Sequence, residues 1–249
     1  MKSLGNKHHR DEEGLFVAEG TKCVRDTWDA FNCRWLIATK VWYEQCGHAG
    51  HREKLMFASK QQLERMTQFN TASEVIAVYE TPKYEINPEQ VRSGLNIVLD
   101  NVQDPGNLGT IIRLADWYGI KNIFASRTTV DVFNHKVVQA TMGALARVNI
   151  HYVDLVESLK FIVESLKFPI YGTLLDGRNI YEEGAISDPT CGIIIMGNEG
   201  NGISDEVREF ITHPLYIPSY APNAHIESLN VAIATAITLA EFRRQFTTK

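Results

Sequence analysis

The chain has 249 residues and a mass of 28.1 kDa, enough for one large domain or two smaller ones with ample core. A content of 44% hydrophobic and 22% charged residues is that of an ordinary globular protein. The net charge of -5 excludes a bulk attraction to phosphate backbones, so any nucleic-acid binding must rest on local basic patches.

The first residues gather Lys2, Lys7, His8, His9 and Arg10 ahead of Asp11, Glu12 and Glu13, which reads either as a solvated helix end or as a phosphate contact. Up to about residue 80, short strand-like pieces (Leu15 to Ala18, Trp35 to Ala38, Met56 to Ala58, Val75 to Tyr79) alternate with helical ones. The helical pieces are Thr21 to Ala30 and Lys60 to Met66, the latter opened by a Ser59/Gln62 capping box. This predicts a small α/β domain over residues 1–80. Within it Cys46, His48 and His51 have a spacing that could hold a metal with a fourth ligand, but Gly47 and Gly50 mark the stretch more simply as a loop, and no metal is expected. Cys23, Cys33, Cys46 and Cys191 form no C-x-x-C pair and read as free thiols in a reducing cytosol, so a cytoplasmic location is expected. Thr81, Pro82, Asn87 and Pro88 then break both periodicities, and residues 81–93 read as a linker.

Over residues 94–249 strands are expected at Asn96 to Leu99, Asn122 to Ala125, Val148 to His151, Ile170 to Leu174, Cys191 to Met196 and Leu215 to Ile217. Helical stretches separate most of them, the clearest being Leu108 to Tyr118, Leu155 to Lys167 and Ser228 to Phe246. Such alternation predicts a mostly parallel sheet with helices on both faces. The apolar stretch Val231 to Ala240 is interrupted by Thr235 and Thr238 and falls short of the ~20 residues that cross a bilayer. No signal-peptide stretch opens the sequence, so neither export nor membrane insertion is expected.

The stretch Cys191 to Ser204 is a buried strand, a turn with Gly197, Gly200 and Gly202, and a helix start with Ser204 as N-cap. Open α/β sheets place ligands at such strand ends. The order G-x-x-G-x-G is not the dinucleotide fingerprint, and Glu199 stands where a pyrophosphate would have to sit. A neutral or cationic ligand, a catalytic Glu199 and a plain tight turn all fit.

Two further polar turns follow strands. Pro105, Gly106 and Gly109 force one after the first strand, and the helix from about Asn107 carries Arg113, which by itself is also readable as a surface charge. After Ile217-Pro218 a polar loop leads to Ser228, which is placed to cap a helix buried through Val231, Ile233, Ile237 and Phe242, with Asn230 at its mouth.

Three such turns in this order resemble the SpoU (TrmH-like) family of RNA ribose 2′-O-methyltransferases, within the SPOUT superfamily. The resemblance is carried by Asp104-Pro-x-Asn107-x-Gly109-x-x-x-Arg113, by Ile195-Met196-Gly197-Asn198-Glu199-Gly200-x-Gly202, and by Ile217-Pro218 with Ser228-Leu229-Asn230-Val231-Ala232. Met142-Gly143-Ala144 is similar to a further signature, and Arg10-x-x-x-Gly14-Leu15-Phe16-Val17-x-Glu19-Gly20 resembles the family's RNA-binding domain. The third motif departs by lacking the usual Met and Gly and by a longer loop, Ser219 to His225.

The resemblance implies an α/β fold, a small RNA-binding domain followed by a SPOUT-type sheet ending in a trefoil knot. It implies S-adenosylmethionine as methyl donor among loops around Thr173, Gly197, Ile217 and Leu229, and homodimers acting on structured RNA, ribosomal or transfer. By the same resemblance Arg113 is the base, although a guanidinium, a permanent cation with a planar fork of donors, suits a phosphate clamp better. Asn107, Glu199, Ser228 and Asn230 would position the ribose and Arg113, with Glu199 paired to that arginine. A non-catalytic RNA-binding relative and a nucleotide-dependent oxidoreductase are the rival readings.

Overall fold

The structure, a computed structural model, describes residues 1–46, 53–165, 169–221 and 228–247. His48 and His51 of the possible metal loop, and residues 222–227 of the long third-motif loop, lie outside the described residues. The chain divides into two compact units, Met1–Lys83 with Asp131–Arg147, and Tyr84–Val130 with Val148–Lys249.

The first unit opens with α1 (Lys7–Glu13), β1 (Leu15–Glu19), α2 (Thr21–Thr27), β2 (Cys33–Ala38), α3 (Lys40–Cys46), β3 (Leu55–Phe57), α4 (Lys60–Met66) and β4 (Val75–Glu80). The strands form one sheet in the order β1-β4-β2-β3, with β4 antiparallel to both neighbours and β3 parallel to β2. Alternation along these strands sends Leu15, Val17, Ile37, Ile76 and Val78 to one face, where they pack with Leu4 and Leu63. Phe16 and Tyr79 go to the other and meet Phe31. The Ser59/Gln62 capping box opens α4.

The basic cluster at the start is not uniform. Lys7 is exposed and pairs with Asp11, whereas Arg10 is buried. Its guanidinium donates to the carbonyls of Leu4 and Gly5, at 2.8 and 2.9 Å, and to the Asp131 carboxylate. A phosphate contact by Arg10 is therefore excluded, because its donors are spent internally.

The second unit begins with α5 (Pro88–Arg92), a turn of helix capped by Asn87 inside the stretch expected to be a linker. It continues through β5 (Leu95–Leu99), α6 (Pro105–Trp117) and β6 (Asn122–Ser126). The chain then contributes Asp131–Arg147, with α7 (His135–Ala140), to the first unit, and returns as β7 (Asn149–Val153). There follow α8 (Leu155–Ser165), β8 (Ile170–Asn179), β9 (Gly192–Met196), α9 (Asp205–Arg208), β10 (His213–Tyr216) and α10 (Val231–Thr247).

Every pairing in this six-stranded sheet is parallel, in the order β10-β8-β9-β5-β6-β7. From β5 the chain steps outward to β6 and β7, crosses to β8, and then inserts β9 between β8 and β5. The order thus reverses between β5 and β9, the two strands buried along their whole length. Their carboxyl ends form the switch point at which such sheets bind ligands.

Two expectations about the last helix are corrected. Ile233 is 52% exposed, and the buried stripe runs instead through Val231, Thr235, Thr238, Leu239 and Phe242. The two threonines read as interruptions are fully buried, their hydroxyls returned to the carbonyls of Val231 and Ala234, so they pack without an unpaired polar atom. At the far end, Arg243 donates to the carbonyl of Tyr118 and so closes the C-terminus of α6.

Arg10→Ala is expected to cost about 3–5 kcal/mol, because it strands the Asp131 carboxylate and two carbonyls. Lys7→Ala, at an exposed pair, is expected to cost below about 0.5 kcal/mol. Urea unfolding of the two variants side by side checks the contrast.

Candidate active site

Each motif turn exists because a polar side chain replaces the backbone partners a turn leaves open. Asp104 caps α6 by accepting from the Asn107 N–H at 2.8 Å, and Pro105 takes the first helical position, where no N–H is needed. After β9, Asn198 does the same for the glycine turn. Its Oδ1 accepts from the N–H groups of Gly200 and Asn201, and its backbone exchanges two hydrogen bonds with Gly202. A Cβ at Gly197 would lie 2.3 Å from the carbonyl carbon of Gly202, so only glycine lets the turn close.

Ser204 stands at the N-cap of α9 as expected, but its side chain makes no cap bond; its N–H goes to the buried carboxylate of Asp100 at 2.7 Å. Asp100 follows β5 directly, and Asn198 Nδ2 donates to the Asn101 carbonyl at 2.7 Å, so the loops after β5 and β9 are pinned to each other twice. Sequence reasoning passed over Asp100; the available signal was an acid immediately after a wholly apolar strand.

The cap of α10 is Asn230 and not Ser228. Asn230 Oδ1 accepts from the N–H groups of Ala232 and Ile233 at 3.0 and 3.3 Å, while Ser228 lies exposed two residues before it, outside the helix. The helix starts at Val231, two residues too late for Ser228 to cap it.

Asn230 Nδ2 in turn donates to Asn107 Oδ1 at 2.9 Å, and Asn107 Nδ2 donates to the Glu199 carboxylate at 2.9 Å. Glu199 also accepts from the backbone N–H groups of Asp104 at 3.2 Å and Gln103 at 3.4 Å. One relay therefore joins the N-terminus of α10, the first turn of α6 and the glycine turn. Burial alone would raise the Glu199 pKa, but the donation from Asn107 and from the Asp104 and Gln103 backbone outweighs it and holds the carboxyl below its ordinary value. The same carboxylate fills the anion-binding N-terminus of α6, which leaves no place for a pyrophosphate there.

Arg113 lies farther along α6, exposed, its guanidinium without a hydrogen bond or ion pair to any described residue. The expected pairing of Glu199 with Arg113 is absent, since the acid is committed to the start of the helix.

Thr173 lies within β8, and Gly197 and Ile217 directly follow β9 and β10, the two strands that flank it in the sheet. Thr173 is half-buried with its hydroxyl 3.7 Å from the sulfur of Met196, Ile217 is half-buried, and Leu229 is 48% exposed. Next to Thr173 the register of β8 against β10 jumps, from Gly172 opposite Pro214 to Arg178 opposite Leu215. Gly177 closes this excursion; a Cβ there would sit 2.5 Å from the backbone of Leu215. A hydroxyl, open backbone and apolar side chains make a donor set suited to an adenosyl group with a cationic sulfur, and unsuited to a metal.

The family model described as SpoU rRNA Methylase family matches residues 94–240, and one described as MRM3-like substrate binding domain matches residues 1–77. Fold and site define an RNA methyltransferase of the SPOUT type. The chain belongs to the SpoU rRNA methylase family.

The chain is 33% identical to the 23S rRNA (guanosine(2553)-2′-O)-methyltransferase RlmP of Bacillus subtilis, covering 97% of this chain and 94% of that protein. A putative RNA methyltransferase of the TrmH family from Porphyromonas gingivalis superposes with a TM-score of 0.87 at 39% identity, over 98% of this chain and 95% of that one. An S-adenosylmethionine-bound rRNA methyltransferase from Sinorhizobium meliloti superposes with a TM-score of 0.82 at 29% identity, over 98% and 92%.

Glu199→Gln places an amide N–H₂ among the three donors of Gln103, Asp104 and Asn107 and is expected to lower stability by on the order of 1 kcal/mol, modest because the group faces solvent. The Glu199 pKa is depressed in the folded chain, so its contribution is complete above the unfolded value near 4.5 and disappears as pH falls through the lower folded value. The gap in urea midpoint between wild type and Glu199→Gln should accordingly be constant from neutral pH to about 5 and close below it.

Proposed function

We propose that this chain transfers the methyl group of S-adenosylmethionine to a ribose 2′-hydroxyl of RNA. The observation that carries this reading is the relay from Asn230 through Asn107 to Glu199, which gathers all three motif segments at the switch point of the sheet. Thr173, Gly197, Ile217 and Leu229 would hold the cofactor, largely through backbone groups. Bound there, the cofactor supplies an electrophilic methyl group on a positively charged sulfur.

The remaining work falls to this chain's own side chains. Asn107 and Asn230, fixed at both ends of the relay, hold the start of α6 and α10 in one geometry, and Ser228 beside them is free to meet a sugar hydroxyl. Arg113, with all its donors open, would clamp a phosphate next to the reacting ribose and stabilise the negative charge that grows on the 2′-oxygen as its proton leaves. The knotted threading of the C-terminal segment goes with this reading and is part of the proposal.

Ribosomal RNA is the favoured substrate. A substrate-binding domain precedes the methylase domain, and the relative from Bacillus subtilis, which aligns over nearly its whole length, is named for 23S rRNA. The chain would act in the cytoplasm, which agrees with four free cysteines; no described helix is long and apolar enough to cross a membrane. A homodimer is part of the same reading, supported by Trp117 on α6, 84% exposed, with Ile233 and Phe246 exposed on α10.

Arg113→Ala should lower methyl transfer to RNA by about 100-fold or more while S-adenosylmethionine affinity, measured by calorimetry, stays within about twofold. Near-normal turnover would refute the role. Ribose-methylation mapping of total RNA with and without the protein identifies the substrate, a change confined to transfer RNA counting against the ribosomal choice. Trp117→Glu should convert a dimer to a monomer in sedimentation; an unchanged sedimentation coefficient counts against this interface.

A further inference from the structure

The first unit exposes five large apolar side chains among its described residues, and four of them, Trp35, Val41, Met56 and Phe57, lie on β2, α3 and β3. Elsewhere in the unit β1 is buried throughout and β4 in all but its last residue, so this corner is not a consequence of a thin sheet. Two local features produce it. An irregularity in the pairing of β2 with β4 between Cys33 and Trp35 leaves both Arg34 and Trp35 exposed, where strict alternation would bury one. β3 is only three residues long and among the described strands pairs with β2 alone.

Trp35 stands opposite Val78, on the α4 face, and Phe57 opposite Ala38, on the α3 face, so the two rings flank the β3 edge. Each carries a cation. The Arg34 guanidinium lies 5.6 Å from the Trp35 ring centre and the Lys40 ammonium 5.9 Å from that of Phe57, with Tyr43 edge-on to Phe57 at 5.8 Å. Neither cation has a carboxylate partner among the described residues. From Arg34 to Lys60 the described residues bear four cations, Arg34, Lys40, Lys54 and Lys60, against Glu44 and Glu53, in a chain whose net charge is -5.

We propose that this corner binds unpaired nucleotides of the RNA, with Trp35 and Phe57 offering ring faces to bases and Arg34 and Lys40 meeting the phosphates between them. The inference rests on the reading of the chain as an RNA methyltransferase and adds to it the surface that takes the substrate. Bases inside a duplex are already stacked on one another, so exposed rings recognise unpaired ones. A protein partner fits less well, because the cores of such interfaces are depleted in lysine, and packing an apolar surface here would strip water from two cations without replacing it.

The test uses the full chain and two fluorescein-labelled probes, an oligouridylate of about 12 nucleotides and an RNA duplex of about the same length. The wild type should prefer the single strand. Trp35→Ala and Phe57→Ala should each weaken that binding by about fivefold or more, and Trp35→Tyr should restore it to within about twofold, since stacking needs a ring and not an indole. Arg34→Gln and Lys40→Gln should each reduce the slope of log K against log salt by about 0.7. An unchanged circular dichroism spectrum and urea midpoint certify that the first unit of each variant is folded.

Equal binding of the oligouridylate by wild type and both alanine variants would overturn the proposal, and leaves the enzymatic reading intact if the wild type still methylates RNA. A wild type that binds neither probe, with a sedimentation coefficient altered by Trp35→Ala, would assign the corner to contact between copies of the chain. Absence of methyl transfer by the wild type would instead defeat the reading on which the inference stands.

Discussion

The site depends on a carboxylate that can only accept hydrogen bonds. At one end of the relay, Glu199 faces donors alone; at the other, Asn230 faces the backbone N–H groups of Ala232 and Ile233, which can only donate. Between these fixed ends both amides have a single satisfied orientation. Asn107 must turn its nitrogen to Glu199 and its oxygen to Asn230, and Asn230 must turn its nitrogen to Asn107 and its oxygen to the helix. Two symmetric-looking amides thereby acquire a direction, and a flip of either would set like against like. The geometry of two helix N-termini and one glycine turn is written into that direction.

This constraint also separates structural polar groups from reactive ones. Asp100, Asp104, Asn107, Asn198, Glu199 and Asn230 are engaged by backbone or by each other, which makes them a frame. Arg113 is the exposed cation on the same helix that none of them engages. A frame of this kind is what a displacement reaction needs, because alignment must be established before the reactants meet. The pinned loops supply the rigidity and the free guanidinium supplies the charge.

Several motif residues of the first unit prove to be architecture. Arg10 is buried against Asp131, Glu19 is buried and accepts from Thr67 and from the Gln68 N–H, and Gly20 sits at a φ of 92°. Gly143, at a φ of 88°, lies where a Cβ would meet Asp26 at 2.3 Å. Asp131 and Gly143 come from a segment more than a hundred residues beyond Arg10 and Asp26, so the first unit is completed only after part of the second has been made. Its exposed aromatic and basic residues lie elsewhere, on the β2–α3–β3 corner.

Local periodicity was enough to place the strands of the parallel sheet within a few residues, because buried parallel strands are short continuous apolar runs and the turns between them are built from Gly, Pro, Asn and Asp; the exception is β8, which runs past the expected Leu174 to Asn179 through a polar, largely exposed half that carries no apolar run. The turn at Gly197 to Gly202, the capping box of α4 and the order of the three motifs were legible for the same reason: each depends on neighbours a few residues apart. What the sequence could not determine was which polar groups meet across long separations. That Arg10 closes on Asp131, that Asn230 and not Ser228 caps α10, that Glu199 serves Asn107 and leaves Arg113 open, and that Thr235 and Thr238 face the core were all decided by the tertiary structure. Hydrogen-bond partners are chosen by proximity in space and by the need to leave no buried donor or acceptor unmet, and a residue's own neighbourhood in the chain carries no record of either.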